Sequence, residues 1–426
     1  MPFWDDKTAS TALLRLFEPT QGWRAHDDVT DGEGRTTAQG ACRSVELALH
    51  NALNASNLLV LTGAGSSYCA KTHNGQSAPS MAALWDAVEA AATTETFNEI
   101  VSLIPNAATL NKNIEKLLTL CKLYSTLFND ATAAKIAAFV DVAEKAILKR
   151  VDFVTASTEL GSHRNLIRKI ARRSVRKPRA KIFTTNYDLC FEAAAREQQF
   201  VVIDGFSHSI PQTYDRAHFS YDIVRRENDT DPPDYIESVF HLYKLHGSID
   251  WRRKQQTILR STDPSIGSPV LIYPRDSKFQ EAFDAPYLDM MGAFQSALRE
   301  PDTAIIISGF GFNDDHLAMP VMAAIEANMS LRVIVCDVSF LADSALEGVP
   351  PPHVAPLTSP MRTVGNQYFE KLKNLVAIGD QRIMLLNGRF EDMAHALPDL
   401  VAQTERERHL DRMQRLREVS GEGPPA

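Results

Sequence analysis

The segment LLVLTGAGSS, Leu58–Ser67, decides the fold of this chain. It is a short apolar run that ends in glycine, which is typical of a buried parallel strand turning into the next element. Helical patterns follow similar runs, for example over Asp188–Glu197 and Asp315–Ala327. Strand–helix alternation of this kind predicts an α/β protein with a doubly wound, Rossmann-like parallel sheet. The other predicted strands are Lys181–Thr185, Ala304–Ser308, Arg332–Asp337, Val201–Asp204 and Arg382–Leu386.

The interval from Ser80 to Arg179 has a different character, with few strand-like runs and several amphipathic helical patterns. In NIEKLLTLCKL, the apolar residues from Ile114 to Cys121 follow the spacing of one helix face, and a second pattern covers Ala133–Val154. We therefore predict a helical subdomain inserted into the sheet domain. The predicted boundaries are 1–56 for an N-terminal helical region, 57–79 and 180–400 for the Rossmann-like domain, 80–179 for the helical insertion, and 401–426 for a charged C-terminal helix and tail.

The composition excludes several classes of protein. With 426 residues, 44% hydrophobic and 23% charged, the chain can form a large globular core. No stretch approaches the ~18 apolar residues of a membrane span, and the acidic start MPFWDDKTAS does not resemble a signal peptide. The five cysteines are widely spaced without a CxxC pair, which excludes a zinc ribbon and suits a reducing compartment. We predict a cytoplasmic protein.

The charge pattern leaves one alternative open. The net charge is −8, which does not favour nucleic acid, but Arg164–Lys181 holds nine basic residues. A nucleic-acid patch and a solvated helix face both explain such a run, and the acidic remainder of the chain favours the helix face.

Two glycine-rich turns follow predicted strands and are candidates for phosphate binding. In LTGAGSS, backbone N–H groups around Gly63 and Gly65 can approach a phosphate, with Ser66 and Ser67 as hydroxyl donors. Tight turns also use glycine for steric reasons alone, so this motif by itself is weak evidence. The second turn, SGFGFNDDH, is followed by a strand that ends at Asp337, at a spacing suited to an adenosine ribose. Together the turns favour a dinucleotide site, although Asp314 and Asp315 can simply cap the next helix.

Two further motifs supply polar groups at predicted strand ends. In TTNYD, Asn186 offers a donor and an acceptor and Asp188 offers a charge, while the alternative for Asp188 is a helix N-cap. In YKLHGSIDW, His246 precedes a Gly-Ser turn, where we expect an exposed position; His316 is the second candidate histidine. No spacing of His, Cys and Asp indicates a metal site.

GAGSS, TTNYD, KLHGS and SGFGFNDDH, in this order, resemble the motifs of sirtuins. With NIEKLL and IFTTNYDLCFE, the variant forms are most similar to the bacterial sirtuin-like NADase domains of anti-phage defence systems, over about residues 57–340. The resemblance implies catalytic roles for Asn186, Asp188 and His246. It implies NAD⁺-binding roles for Gly63, Ala64, Gly65, Ser66, Ser67, Thr185, Gly309, Phe310, Gly311, Asn313 and Asp337.

Two departures bear on the activity that the resemblance implies. Deacylating sirtuins carry two CxxC pairs for a structural zinc and a PDFR-type segment after the GAG turn, and this chain has neither. The expected activity is therefore hydrolysis of NAD⁺ as substrate, without a metal. A non-catalytic NAD- or ADP-ribose-binding module and a protein deacylase are the alternatives. The stand-alone members of the resembling group imply a homo-oligomer that partners a HerA-type ATPase.

Overall fold

The computed structural model describes residues 3–4, 7–104, 110–226, 234–271, 285–346, 354–355, 359–363 and 365–400. Its helices are α1 (Cys42–Asn54), α2 (Met81–Ala92), α3 (Thr94–Leu103), α4 (Ile114–Leu127), α5 (Ala131–Val151), α6 (Gly161–Ala171), α7 (Cys190–Glu197), α8 (Tyr287–Arg299), α9 (Asp315–Ala327), α10 (Gln367–Ala377) and α11 (Phe390–Ala396). None of these helices is long and apolar enough to cross a membrane.

The strands are β1 (Arg15–Glu18), β2 (Gly22–Ala25), β3 (Val29–Thr30), β4 (Thr36–Ala38), β5 (Asn57–Thr62), β6 (Lys181–Thr184), β7 (Val201–Ile203), β8 (Val224–Arg225), β9 (Asp234–Tyr235), β10 (Val239–Lys244), β11 (Gly247–Lys254), β12 (Thr257–Arg260), β13 (Ser268–Leu271), β14 (Thr303–Ser308), β15 (Arg332–Cys336), β16 (Val354–Ala355) and β17 (Ile383–Asn387). Ten of them form one sheet in the order β16-β2-β1-β17-β15-β14-β5-β6-β10-β7. From β17 to β7 all neighbours are parallel, so the predicted α/β class with a Rossmann-like parallel sheet is confirmed.

The central strands form because their side chains are apolar on both faces. In β14, Ile305 and Ile307 belong to one buried cluster, whereas Ala304 and Ile306 belong to the cluster on the opposite face. Helices cover both faces of such a sheet, which explains why its strands read as continuous apolar runs. All six predicted strands are found, with ends that differ by one or two residues.

The prediction of an N-terminal helical region over 1–56 is wrong for its first part. Residues of β1 and β2 extend the sheet with antiparallel pairing, and only α1 is helical as predicted. Leu16, Phe17 and Trp23 are buried there. Each strand has four residues; β1 pairs with β17, with Arg15 opposite Asn387, and β2 pairs with β1 and with the distant β16. A run of four residues is too short to show a hydrophobic pattern from which a strand could be predicted.

Helices α2 to α6 lie between β5 and β6, within the span of the predicted insertion. The apolar faces of α2 to α5 form a separate buried cluster that includes Leu117, Leu118 and Phe139, whereas α6 packs into one of the sheet's own clusters. Tyr187, Ile249 and Leu271 join the same cluster from the sheet domain. The insertion is therefore packed against the edge where β6 ends. The predicted C-terminal helix and tail at 401–426 lie outside the described residues.

The basic segment Arg164–Lys181 is engaged in internal contacts rather than forming a solvated face. Arg164 pairs with Glu197 at 2.5 Å, and Arg172 pairs with Asp399 at 2.8 Å. The buried Arg173 donates to the backbone oxygens of Ala55 and Ser56, and the buried Lys169 donates to those of Ala394 and His395. These four of the nine basic residues therefore have partners within the chain.

We expect Trp23→Ala to destabilise the whole domain, because Trp23 is fully buried between Phe17 and Phe340, with ring centroids 5.1 and 5.4 Å away. Removing a buried tryptophan side chain lowers the free energy of unfolding by about 3–5 kcal/mol. Urea unfolding followed by circular dichroism measures the effect, with the exposed Leu47→Ala as a control that stays near wild type. An unchanged midpoint for Trp23→Ala would show that the N-terminal strands are not part of the core.

Candidate active site

The carboxyl ends of β5, β6, β14 and β15 open into a cavity of about 1570 Å³. The next strand of the sheet along the chain after β5 is β6, which pairs with one edge of β5. Strand β14 pairs with the opposite edge of β5. Ligands of open α/β sheets bind at such a reversal of strand order. The cavity is lined by residues of all four sequence motifs and by residues of the insertion and the N-terminal segment.

The two glycine turns meet in direct backbone contact. The N–H of Gly65 donates to the oxygen of Gly309 at 3.0 Å. A Cβ atom on Gly65 would lie 2.7 Å from the Cα of Gly309, and Gly309 itself has φ of +68°. The steric explanation for these glycines is therefore confirmed. Phosphate binding stays a prediction, favoured because Gly63, Gly65 and Gly309 all line the cavity.

Asn186 is held against the first glycine turn by a directed chain of hydrogen bonds. Its Nδ2 donates to the hydroxyl of Ser67 at 2.7 Å, and that hydroxyl donates to Oδ2 of Asp188 at 2.7 Å. A second branch runs from Nδ2 to Ser66 Oγ at 3.0 Å and from there to the oxygen of Gly63 at 2.8 Å. Because each serine proton is already donated onward, the amide nitrogen must face the serines. The amide oxygen is then the polar atom of Asn186 left for a ligand in the cavity.

Asp188 has both carboxylate oxygens occupied by protein groups. Oδ2 accepts from Ser67, and Oδ1 accepts from the backbone N–H of Cys190 at 3.0 Å. The carboxylate thus makes a turn ahead of α7 and orients Ser67, but the N-cap of α7 is Leu189, so the N-cap alternative for Asp188 is wrong. The buried Lys244 donates to the backbone oxygen of Asp188 and pairs with Glu192 at 3.1 Å, which stabilises the same corner.

His246 is buried, at 2% exposure, so the expectation of an exposed turn is wrong. The chain passes from β10 directly into β11, and β13 packs against Gly247, where a Cβ atom would lie 2.1 Å from the oxygen of Val270. His246 still lines the cavity. Its Nε2 lies 3.0 Å from Nε2 of His316, the second candidate histidine.

His246 and His316 approach each other through their Nε2 atoms. Burial holds the pKa of His246 well below its usual range, and the neighbouring His316 lowers it further. A neutral His246 keeps one ring nitrogen unprotonated, and its tautomer decides whether that nitrogen is Nε2 or Nδ1. His246 is therefore a neutral base that lines the cavity.

The second glycine turn leads to the part of the cavity predicted for adenosine. Phe310, Gly311 and Asn313 line the cavity after β14, and Asp337 lines it after the neighbouring β15. Burial raises the pKa of Asp337 to about 6, while hydrogen bonds from Ser339 oppose that shift. The carboxylate accepts from the N–H of Ser339 at 2.8 Å, which orders the loop that follows.

All predicted site residues except one line this cavity, including Ala64, Thr185 and the residues described above. The exception is Ser66, which is fully buried and acts through the hydrogen bonds beneath the turn. The roles assigned to these residues stay predictions.

Several cavity residues were not predicted as site residues, among them Glu115, Asp314 and Arg389. Glu115 lies in the first turn of α4, and its Oε1 accepts from the hydroxyl of Tyr187 at 3.0 Å. Only its place in NIEKLL, among residues of one apolar helix face, could have drawn attention to it. Asp314 was interpreted as a helix cap, but no side-chain capping bond is found at that position.

Arg389 fastens the N-terminal segment beside the cavity. Its guanidinium donates to the backbone oxygens of Lys7 at 2.9 Å and Thr8 at 3.3 Å, and it pairs with Asp392 at 2.9 Å. Trp4, Lys7 and Thr8 line the cavity as a result. No group of three or more His, Cys, Asp and Glu side chains that could hold a metal occurs in the described part of the chain.

Residues 180–372 match the family model described as the SIR2-like domain. The chain therefore contains a sirtuin-like domain, and the resemblance seen in the motifs is confirmed over that range. SIR2-like domains bind NAD⁺, so the match indicates an NAD-related activity and potential for NAD-dependent catalysis. The match begins just before β6 and does not include the GAGSS turn. No curated protein gives a significant match to this sequence.

We expect Gly309→Ala to separate the two glycine turns and weaken NAD⁺ binding by at least ~10-fold. The new Cβ atom would lie 2.5 Å from the backbone nitrogen of Ser66, at a φ that disfavours L side chains. Calorimetric titration with NAD⁺ and thermal unfolding measure the two effects.

Gly292→Ala is the matched control, because a Cβ atom on this helical glycine meets nothing within 4 Å. It should keep wild-type binding and unfold at the same or a higher temperature. Wild-type NAD⁺ affinity in Gly309→Ala would show that the contact between the turns does not shape the binding site.

Proposed function

We propose that the protein is an NAD⁺ hydrolase that cleaves the bond between nicotinamide and ribose, giving nicotinamide and ADP-ribose. The observation that carries the proposal is the meeting of Asn186, His246 and two glycine turns in one cavity of a sirtuin-like domain, with His316 hydrogen-bonded to His246. The glycine turns would hold the diphosphate, and Asp337 would accept from the adenosine ribose.

The reaction needs little acid catalysis from the protein. As water forms its bond to the ribose carbon, the glycosidic bond breaks and its electron pair leaves with nicotinamide, which becomes neutral. Positive charge develops on the ribose in an oxocarbenium-like transition state. The site must therefore orient the ribose, stabilise positive charge and accept one proton from water.

Asn186 and the histidine pair suit two of these tasks. The amide oxygen of Asn186, fixed by the bonds from Nδ2 to the serines, would orient the ribose or the attacking water. The unprotonated ring nitrogen of His246 would accept the proton from water, since His246 stays neutral at pH 7. Asp188 would contribute negative charge while keeping its bonds to Ser67 and Cys190.

The activity is tested by chromatography of NAD⁺ incubated with the purified protein. Wild type should release nicotinamide and ADP-ribose, whereas His246→Ala and Asn186→Ala should lose about 10²–10⁴-fold of the rate, the usual contribution of a positioned acid–base group. The exposed His208→Ala is the control and should keep the wild-type rate. Thermal unfolding of each variant separates lost catalysis from lost folding.

The other outcomes identify the alternatives. Tight NAD⁺ binding without turnover under any condition would favour a non-catalytic binding module. Transfer of an acyl group from an acyl-lysine peptide to ADP-ribose would favour a deacylase, although the chain lacks the CxxC pairs of deacylating sirtuins. Full activity of His246→Ala would remove the histidine from the mechanism.

We further propose that the enzyme acts in anti-phage defence by depleting NAD⁺, as a homo-oligomer bound to a HerA-type ATPase. The sequence resemblance supports this proposal, and an NAD⁺ hydrolase must be held inactive in a healthy cell. Light scattering during size-exclusion chromatography should give a mass that is a multiple of 47.3 kDa, and a co-expressed HerA-type ATPase should co-elute and raise turnover. A monomer with the same activity in the presence and absence of the ATPase would contradict it.

A further inference from the structure

Glu115 is an acidic group that the helical insertion places in the cavity. It is the second residue of α4, whose first turn is ordered by Asn113 accepting from the N–H of Lys116 at 2.9 Å. Its carboxyl accepts from the hydroxyl of Tyr187, which follows Asn186 directly in the chain. The ring of Tyr187 lies 6.4 Å from the ring of His246. Glu115 therefore belongs to the corner of the cavity that holds the proposed catalytic residues.

The carboxyl of Glu115 is shielded from water, and no cationic side chain is paired with it in the described residues. Burial raises the pKa of Glu115 to about 8, and the charge of Asp314 raises it further, while the hydrogen bond from Tyr187 opposes the shift. Among the ion pairs found in the described residues, none involves Glu115. Burying a carboxyl without a cationic partner costs stability. Such a group in a cavity is a candidate for function rather than for structure.

Asp314 faces Glu115 from the sheet domain. Burial, assisted by the charge of Asp315, raises the pKa of Asp314 to about 6. From about pH 6 to pH 8, the Glu115 and Asp314 carboxyls therefore hold about one proton and one negative charge between them. The titratable groups that act directly on Glu115 are Tyr187 and Asp314, and His246 lies beyond the ring of Tyr187.

We propose that Glu115 recognises the cationic nicotinamide end of NAD⁺ and stabilises the positive charge that passes to the ribose during cleavage. This inference rests on the proposed NAD⁺ hydrolysis and assigns to the helical insertion a direct part in it. The pyridinium ring carries the charge in the substrate, and the ribose carries it in the transition state. An ionised carboxylate near the pyridinium ring and the ribose stabilises the positive charge in both places, and therefore throughout the cleavage of the bond.

The first test separates binding from turnover. Carba-NAD⁺ keeps the cationic ring but cannot be hydrolysed at the nicotinamide bond, whereas NADH has a neutral ring. For wild type, calorimetric titration gives the ratio of the Kd for NADH to the Kd for carba-NAD⁺. This ratio should rise at least ~3-fold from pH 7 to pH 9, because Glu115 loses its proton over that range. In Glu115→Gln, which keeps an acceptor for Tyr187 but cannot ionise, that rise should disappear. An equal rise in Glu115→Gln would overturn the proposal.

The second test measures turnover and stability. At pH 9, where Glu115 is ionised, Glu115→Gln should lower kcat at least ~10-fold, and at pH 8 it should raise the thermal midpoint by a few degrees. The unfolded state loses its Glu115 proton near pH 4.5 and the folded state near pH 8, so wild-type stability falls across that window and the glutamine removes the loss. Glu95→Gln, an exposed glutamate in the first turn of α3, is the matched control and should keep wild-type kcat.

The outcomes distinguish this inference from the proposed function. If wild type cleaves NAD⁺ and Glu115→Gln cleaves it equally well, the inference fails and the function stands. If no variant cleaves NAD⁺ but the pH-dependent preference for the cationic ring is lost in Glu115→Gln, recognition by Glu115 stands and the hydrolase proposal fails. A lower midpoint together with lost activity would show a structural role and overturn the inference.

Discussion

The contact between the turns after β5 and β14 is the constraint on which the site depends. The two strands are parallel neighbours in register, with Thr62 opposite Ser308, so their following turns emerge side by side. The turns can cross only because Gly65 and Gly309 carry no Cβ atom. Their contact holds the serines beneath the first turn, and those serines hold Asn186. The close packing of the two glycine turns therefore determines the geometry of the cavity.

The cavity combines neutral bases with carboxyl groups that hold their protons unusually tightly. Burial keeps His246 neutral, and it keeps Glu115 and Asp314 partly protonated near pH 7. A low-dielectric site of this kind responds strongly to a charge that enters or moves within it. A substrate whose positive charge shifts from one ring to another suits such a site better than a neutral substrate does. The same burial lowers the stability of the empty protein, as is common at functional sites.

Local patterns were sufficient to predict the sheet and most of the residues that meet at its edge. Strands such as β5 and β14 are apolar on both faces, and parallel strand ends converge, so motifs that follow them had to lie together. β1 and β2 were missed because β1 depends on pairing with β17, far along the chain, and β2 depends on pairing with β1 and β16. The burial of His246 depends on β13, and the position of Glu115 depends on how the insertion docks. These are long-range contacts, which leave no periodicity in the sequence.

The docking of the insertion connects the site with the surface. Ile249 and Leu271 of the sheet domain pack into the apolar cluster of the insertion, together with Tyr187. Tyr187 also donates to Glu115, so one residue takes part in both the packing and the polar corner of the cavity. Because a packed interface does not deform gradually, Glu115 and Tyr187 hold their relative positions only while the insertion stays docked. The geometry of this polar corner is therefore set by the packing of the insertion as well as by the sheet.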